Sequence, residues 1–359
     1  MRNPEENKRL LSLDVLRGIT VAGMILVNNV AGETFAPLKH SEWNGMTPCD
    51  LVFPFFLYIM GVSAFLSLRK YAFKWSPKVA RKIVKRTILL FLIGLSSNWL
   101  ANACGGDLGW SHLRIMGVLQ RIALCYCAVS LIALFVKHKY CLHIAFGLLV
   151  VYSVILLIGN GYAPDDTNIA MQIDKALLGV NHLYTQSPID PEGLLGTIPA
   201  IAHTLIGFWC GRAMSMKDTT SEKVMCFLLV GAILVFGGYL LSYGLPLNKT
   251  IWSPSFVLMT TGLASLLQGI LMYVIDIRHF RRLITLFLVF GVNPLFLYVL
   301  SEALSIVCWK TGWNGMLYNG IYAMVNGSCR ASLCFALTHV VVCWAVGWPL
   351  YKRKIFIKI

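Results

Sequence analysis

Charge is scarce in this sequence. Only 13% of its 359 residues are charged, where a soluble domain carries about 25%. Acids are scarcer still, with 16 Asp and Glu against 31 Lys and Arg. With 57% hydrophobic residues, this excludes an ordinary water-soluble globular protein and a disordered chain. Low-complexity tracts and Ser/Gly linkers are missing, which leaves one domain over residues 1–359. No Ser–His–Asp elbow, Walker loop, GxGxxG or HExxH segment occurs, and no CxxC pair, so no metal is expected. The eleven cysteines do not read as a secreted disulfide framework. Most fall within apolar runs, where Cys behaves as a small apolar residue. Only Cys104, Cys308 and Cys329 fall in positions where oxidation of a pair is open.

What the chain does have is long apolar runs. A helical crossing of a bilayer needs about 20 mostly apolar residues, and only helices or closed barrels satisfy the backbone there. About ten such runs are present, near 13–32, 51–68, 83–101, 114–136, 142–160, 193–213, 223–244, 253–275, 283–305 and 331–351. They are too long and too uniform for barrel strands. The expected fold class is therefore an all-α polytopic membrane protein of about ten transmembrane helices. A weaker stretch at 311–328 reads as re-entrant or interfacial. The first 32 residues could be read as a signal peptide, but removing them would leave an odd helix count and invert the charge pattern described next.

With a cytoplasmic N-terminus, the alternate loops on that side, together with Arg17 at the start of the first run, hold 24 of the 31 Lys and Arg, and the opposite loops hold six. That asymmetry is the positive-inside pattern. It places both termini in the cytoplasm and explains the net charge of +15 without a nucleic-acid partner. The localisation expected is multi-pass in the inner (cytoplasmic) membrane. The one long loop, 161–192, is exported in this topology. It reads either as a cap over an exported cavity or as a plain surface loop.

Ionisable groups within membrane-spanning runs are expensive and point to function. His40 stands ten residues before Asp50, which opens the second run. A carboxylate bonded to one imidazole nitrogen fixes the tautomer and leaves the other nitrogen to move a proton. Asn28, at the exported end of the first run, can donate to a developing oxyanion. The competing reading makes Asp50 a helix cap and His40 a solvated loop residue. Arg121 lies inside GVLQRIALCYC and must find an anion or carbonyls, either an acid such as Glu302 or a ligand. In DPEGLLGTIPA, Asp190 and Pro191 read as a helix start that leaves Glu192 for a neighbour or substrate. In LPLNKTIWSPSF, Asn248 and Lys249 fall in an exported loop, with Ser255 close behind and Trp252 in a position suited to a bilayer anchor. In FGVNPLFLYVLSEAL, Pro294 should break the helix after Asn293 and expose carbonyls to a cavity.

RLLSLDVLRGITVAGMILVNN followed by LKHSEWNGMTPCDLVFPFFLYIMG resembles the heparan-α-glucosaminide N-acetyltransferase family of membrane acyltransferases. GVLQRI, DPEGLLGTIPA, NKTIWSPSF, GVNPLFLY and LYKRKIFIKI follow in the family's order, so the resemblance covers nearly the whole chain. It looks like a short bacterial form, without the luminal N-terminal domain of the lysosomal members. The resemblance implies transfer of acetyl from cytoplasmic acetyl-CoA to the amine of a glucosamine-type sugar on the exported side. It implies a catalytic role for His40, as general base or acyl carrier, with Asp50 as the acid that follows it. Asn28 matches the polar residue ending the first helix, with Asn29 the alternative because the loop is one residue longer. Arg121, Gln120, Ser255, Tyr351 and Asn293 are the expected acetyl-CoA contacts, and Glu192, Asn248 and Trp252 the expected acceptor contacts. The partners expected are the amino-sugar acceptor and the lipid bilayer, with a homodimer open. The alternative function is a membrane transporter for a sugar or related small molecule, although no internal repeat relates the two halves.

Overall fold

The computed structural model describes residues 10–357 apart from Gln186, Pro188 and Leu283. The first nine and last two residues, which carry part of the basic charge counted above, lie outside the described residues. All described regular structure is helical.

Helices α1 (Leu11–Asn28) and α2 (Val52–Arg69) flank the His40 segment, and α3 (Pro77–Ala103) and α4 (Val118–Phe135) follow. Ser76 starts α3 by accepting from Val79 N, with Pro77 at the first helical position where its missing N–H is harmless. After α5 (Cys141–Ile158) the long loop folds its own short helix, α6 (Ile169–Leu178). Then come α7 (Thr197–Ser215), α8 (Thr220–Leu241) and α9 (Pro254–Met272). Thr219 and Glu222 close a reciprocal capping box on α8, and Ser253 with Pro254 starts α9.

Among the described residues, eight helices are long and apolar enough to cross a membrane, or nine if a bent pair counts as one span. That pair is α10 (Ile284–Val292) and α11 (Pro294–Lys310), which meet at 84°. The break falls after Asn293, where the missing N–H of Pro294 was expected to put it. The sixth run of the sequence becomes α7, which is not among these apolar helices. Its residues explain why: fourteen of them are buried, Thr197, His203 and Thr204 among them, and it packs against α2, α4, α5, α8 and α9 rather than facing lipid. The expected ten runs thus correspond to eight apolar helices, one broken pair and one interior helix.

Close approach at glycine holds the interior together. A Cβ on Gly61 of α2 would fall 2.1 Å from Thr204 O of α7, and one on Gly207 would fall 2.4 Å from Tyr58 O. In lipid, where burying apolar surface between helices gains little, such small-residue contacts let backbones pack by dispersion. The weak 311–328 stretch is α12 (Trp313–Val325), too short to span the hydrocarbon. It connects α11 to α13 (Ser328–Lys352) and packs against both.

The loops gather at two ends. Gly45 N donates to Leu247 O, Trp43 Nε1 to Tyr162 O, and Ile115 N to His182 O, so four of the five loops expected outside meet one another. At the opposite end Asn293 donates to Ile355 O and accepts from Ile357 N in the segment after the last helix. Within segment 161–192 the described residues include helix α6. Ala170, Ile189 and Leu195 pack with Tyr152, Leu156 and Ile251, and Trp43 from the His40 segment packs against the same cluster.

Candidate active site

The site is built on a tight turn. Pro48–Leu51 forms one 3-10 turn that runs directly into α2. Asp50 closes it by accepting from Thr47 N at 3.0 Å and from Thr47 Oγ1 at 3.1 Å. The same carboxylate oxygen receives Ser41 N at 3.2 Å, and the other lies 2.6 Å from His40 Nδ1. The capping reading of Asp50 and the histidine-partner reading are therefore both realised in one residue. The Asp50 side chain is fully buried while that of His40 is 53% exposed. A contact of 2.6 Å to a carboxylate oxygen is a hydrogen bond when Nδ1 carries the proton, which puts the lone pair on Nε2. His40 is thus an anchored imidazole at the mouth of the bundle and is not enclosed within it.

Two neighbours were given no role by the sequence. Lys249 Nζ lies 3.4 Å from Asp50 Oδ1, 3.0 Å from His40 Nδ1 and 3.4 Å from Nε2. Cys49 Sγ lies 3.2 Å from His40 Nδ1. The available signal for Lys249 was its rarity: it is one of six cations in the loops of an otherwise acid-leaning end.

A second polar group surrounds Arg114. Its guanidinium is bidentate on Asp190, at 3.1 and 2.6 Å, and reaches Glu192 Oε2 at 2.7 Å. Burial works against that charge, but Glu192 and Asp190 outweigh it and hold the guanidinium firmly protonated. Asp190 also accepts from Tyr184 N and Glu192 N. It does not start the following helix, since α7 begins at Thr197 after Gly196; its lone pairs are used by Arg114 instead. Asn28 donates to Glu302 Oε1 at 3.1 Å, and Asn29, which is buried, donates to Ile25 O and Ser301 Oγ.

Arg121 is fully buried, donates to Gly193 O at 2.9 Å, and lies 5.2 Å from the Trp252 ring centroid. Among the described residues no bond joins it to Glu302, the acid suggested as its partner, and its Nε and Nη1 have no hydrogen-bond partner. Trp252 is not a bilayer anchor. It is fully buried, edge-on to Phe53 and Phe256, at a backbone φ of +55°. Asn248 is also buried: its Oδ1 accepts from Ile251 N, and its Nδ2 donates to Asn44. It ties the Lys249 loop to the His40 segment. Gln120 is buried against Gly94. Ser255 Oγ pairs with Ser253 Oγ at 3.1 Å. Asn293 is engaged with the chain end as described, and the Tyr351 ring stacks on Trp348 near that end. The structure therefore brings His40, Asp50, Lys249 and Asn248 together. It places Arg121 and Trp252 together in the interior, and leaves Asn293 and Tyr351 at the opposite end. Among the described residues all eleven cysteines are free.

The family model for heparan-α-glucosaminide N-acetyltransferase, catalytic, matches residues 9–243, which contain His40, Asp50, Arg114 and Arg121. The chain belongs to this family. The heparan-α-glucosaminide N-acetyltransferase of Mus musculus is 29% identical and that of Homo sapiens 30%, each over 98% of this chain. The chain spans 60% of the length of these curated relatives. The matched family is one of acyltransferases, and the apolar helices make this member a multi-pass membrane protein.

Proposed function

We propose that this heparan-α-glucosaminide N-acetyltransferase family member carries acetyl from cytoplasmic acetyl-CoA to the amine of a glucosamine-type sugar at the other face of the inner membrane. The observation that carries this reading is the His40–Asp50 pair, a half-exposed imidazole whose Nδ1 is held by a fully buried carboxylate. Supporting it are the relatives' names and the excess of Lys and Arg in the loops of the opposite end.

In the reaction proposed, Nε2 of His40 takes the proton from the attacking amine as its nitrogen bonds to the thioester carbon. The tetrahedral oxyanion forms, and the C–S bond breaks to release CoA thiolate, which is then protonated. Asp50 orients the ring and stabilises the imidazolium. Asn28 is the donor proposed for the oxyanion. CoA is multiply charged, so its nucleotide belongs at the basic end, with Tyr351 and Asn293 nearby and the pantetheine arm passing Arg121, Gln120 and Ser255. Glu192, Asn248 and Trp252 are assigned to the acceptor's end. Nucleophilic attack by Nε2, giving an acetyl-imidazole, is the second route; acetylated protein trapped without acceptor would select it.

The test is transfer from radiolabelled acetyl-CoA to a panel of amino sugars, with His40→Ala as control. Turnover retained in that variant sinks both routes. Thermal stabilisation in detergent by CoA separates an acyltransferase from a sugar transporter, which has no reason to recognise the nucleotide.

A further inference from the structure

We propose that Lys249 is a positioning residue whose ammonium balances the charge of Asp50 and so keeps the His40 ring in its neutral, proton-accepting form. The inference rests on reading His40 as the proton acceptor and goes beyond it, since the motif NKTIWSPSF contains Lys249 but the sequence reading gives that residue no role.

An aspartate bonded to Nδ1 orients an imidazole, but it also favours the imidazolium, a form with no lone pair to accept a proton. A base held only by a buried carboxylate is therefore well placed yet prone to be already protonated. Lys249 opposes that tendency directly. Its Nζ lies 3.4 Å from Asp50 Oδ1 and within 3.0–3.4 Å of both ring nitrogens. At that range a second positive charge on the ring is repelled by the ammonium about as strongly as the carboxylate attracts it. The titratable or charged groups that meet the ring are Asp50 and Cys49 on the turn and Lys249 from the α8–α9 loop. With Cys49 a neutral thiol, the two charges cancel and the ring stays neutral while remaining oriented.

The loop is built to hold Lys249 there. Asn248, fully buried, accepts from Ile251 N at its Oδ1, donates to Asn44 of the His40 segment through Nδ2, and donates from its backbone N to Ser253 Oγ. Gly45 N donates to Leu247 O at 2.7 Å. The Lys249 side chain is only 17% exposed, so the charge is delivered on a fixed backbone and screened little by solvent.

The experiment compares Lys249→Met and Lys249→Arg with the parent full-length protein in detergent. Two readouts are taken across pH. The first is acetyl transfer. The second is carbethoxylation of His40 by diethyl pyrocarbonate, followed by mass spectrometry of its peptide. That reagent modifies neutral imidazole and needs no turnover, so this readout stands even if the transfer reaction is not the true activity. In Lys249→Met the acid limb of both profiles should move to higher pH, on the order of one unit. Lys249→Arg should leave it in place. A uniform loss of rate with the modification profile unmoved would make Lys249 merely structural and overturn the proposal. So would a limb that moves to lower pH. Should Lys249→Met fail to fold, Lys249→Gln gives the neutral comparison, and a limb displaced in Lys249→Arg by as much as in Lys249→Gln overturns the proposal equally.

Discussion

Asn28 Nδ2 donates to Glu302 Oε1 at 3.1 Å, joining the end of α1 to the middle of α11. The amide proposed for the oxyanion is thus presented by a carboxylate and does not hang free in the mouth of the site. Asn28→Ala should lower kcat by about 10²–10³, the loss typical of a missing oxyanion donor. Glu302→Gln leaves Asn28 in place but weakens its orientation, and should cost less, about tenfold. Steady-state kinetics with acceptor varied will check this. If Glu302→Gln instead raises KM for the acceptor with kcat intact, the carboxylate serves acceptor binding and Asn28 is not its client.

His40→Ala should reduce transfer by about 10²–10⁴, the range for a general base, with CoA-dependent thermal stabilisation unchanged because the ring is not part of the nucleotide's end. Asp50→Asn should be worse for the fold. That carboxylate also holds Thr47 N, Thr47 Oγ1 and Ser41 N, so the variant should lose activity and also about 1–3 kcal/mol of stability. Paired activity and melting measurements distinguish the two variants, since only Asp50→Asn should shift Tm.

Much of this arrangement was legible in the sequence. The apolar runs located the helices and Pro294 located the break, because each rests on local chemistry; spacing alone left the His40–Asp50 pair open beside the capping reading, and the family resemblance favoured it. What was not legible depends on which loops meet. Asp190 followed by Pro191 has the pattern of a helix start, but Arg114, 76 residues earlier, claims the carboxylate. Trp252 follows a loop read from the sequence as exported and has the position of a bilayer anchor, yet the chain turns inward at its positive φ and buries the ring among Phe53, Phe256 and Arg121. Lys249 was given no role for the same reason: its partners are more than 190 residues away in sequence. Helix α7 was read as one more apolar run, and only its packing explains why it carries a histidine and two threonines without facing lipid.

The Arg114 group should behave as a buried ion network. Arg114 holds both Asp190 and Glu192, whose side chains are 1% and 10% exposed. Arg114→Leu leaves two carboxylates without their cation and should destabilise the protein by about 3–5 kcal/mol, the cost of breaking a buried pair from one side. Asp190→Asn retains hydrogen-bond acceptance at one oxygen and should be milder. Thermal unfolding in detergent at fixed pH checks the order, and equal losses in the two variants would show that the charge of Asp190 matters more than the pairing as a whole.

Asp174 gives the pH prediction. It lies on α6 in segment 161–192, outside the spanning helices. Burial pushes its carboxyl up from the usual 3.8 to about 6, with Asp190 nearby adding to the rise. Leu194 N, which donates to Oδ1, and Arg121 pull the other way. Its Oδ2 is buried without a hydrogen-bond partner. The folded chain therefore binds this proton more tightly than the unfolded chain does. The resulting stability is fully present below about pH 4, falls as pH rises toward 6, and is gone above it, a change on the order of 2–3 kcal/mol. Other groups titrate in the same window, so the useful quantity is a difference. Asp174→Asn keeps an oxygen for Leu194 N and carries no charge to desolvate. Relative to that variant, the parent should lose stability between pH 4 and 6, and the variant should be the more stable by about 1–2 kcal/mol at pH 7.5. Melting curves for both proteins across that range decide the matter: if they run parallel, Asp174 is solvated as freely in the folded chain as in the unfolded chain.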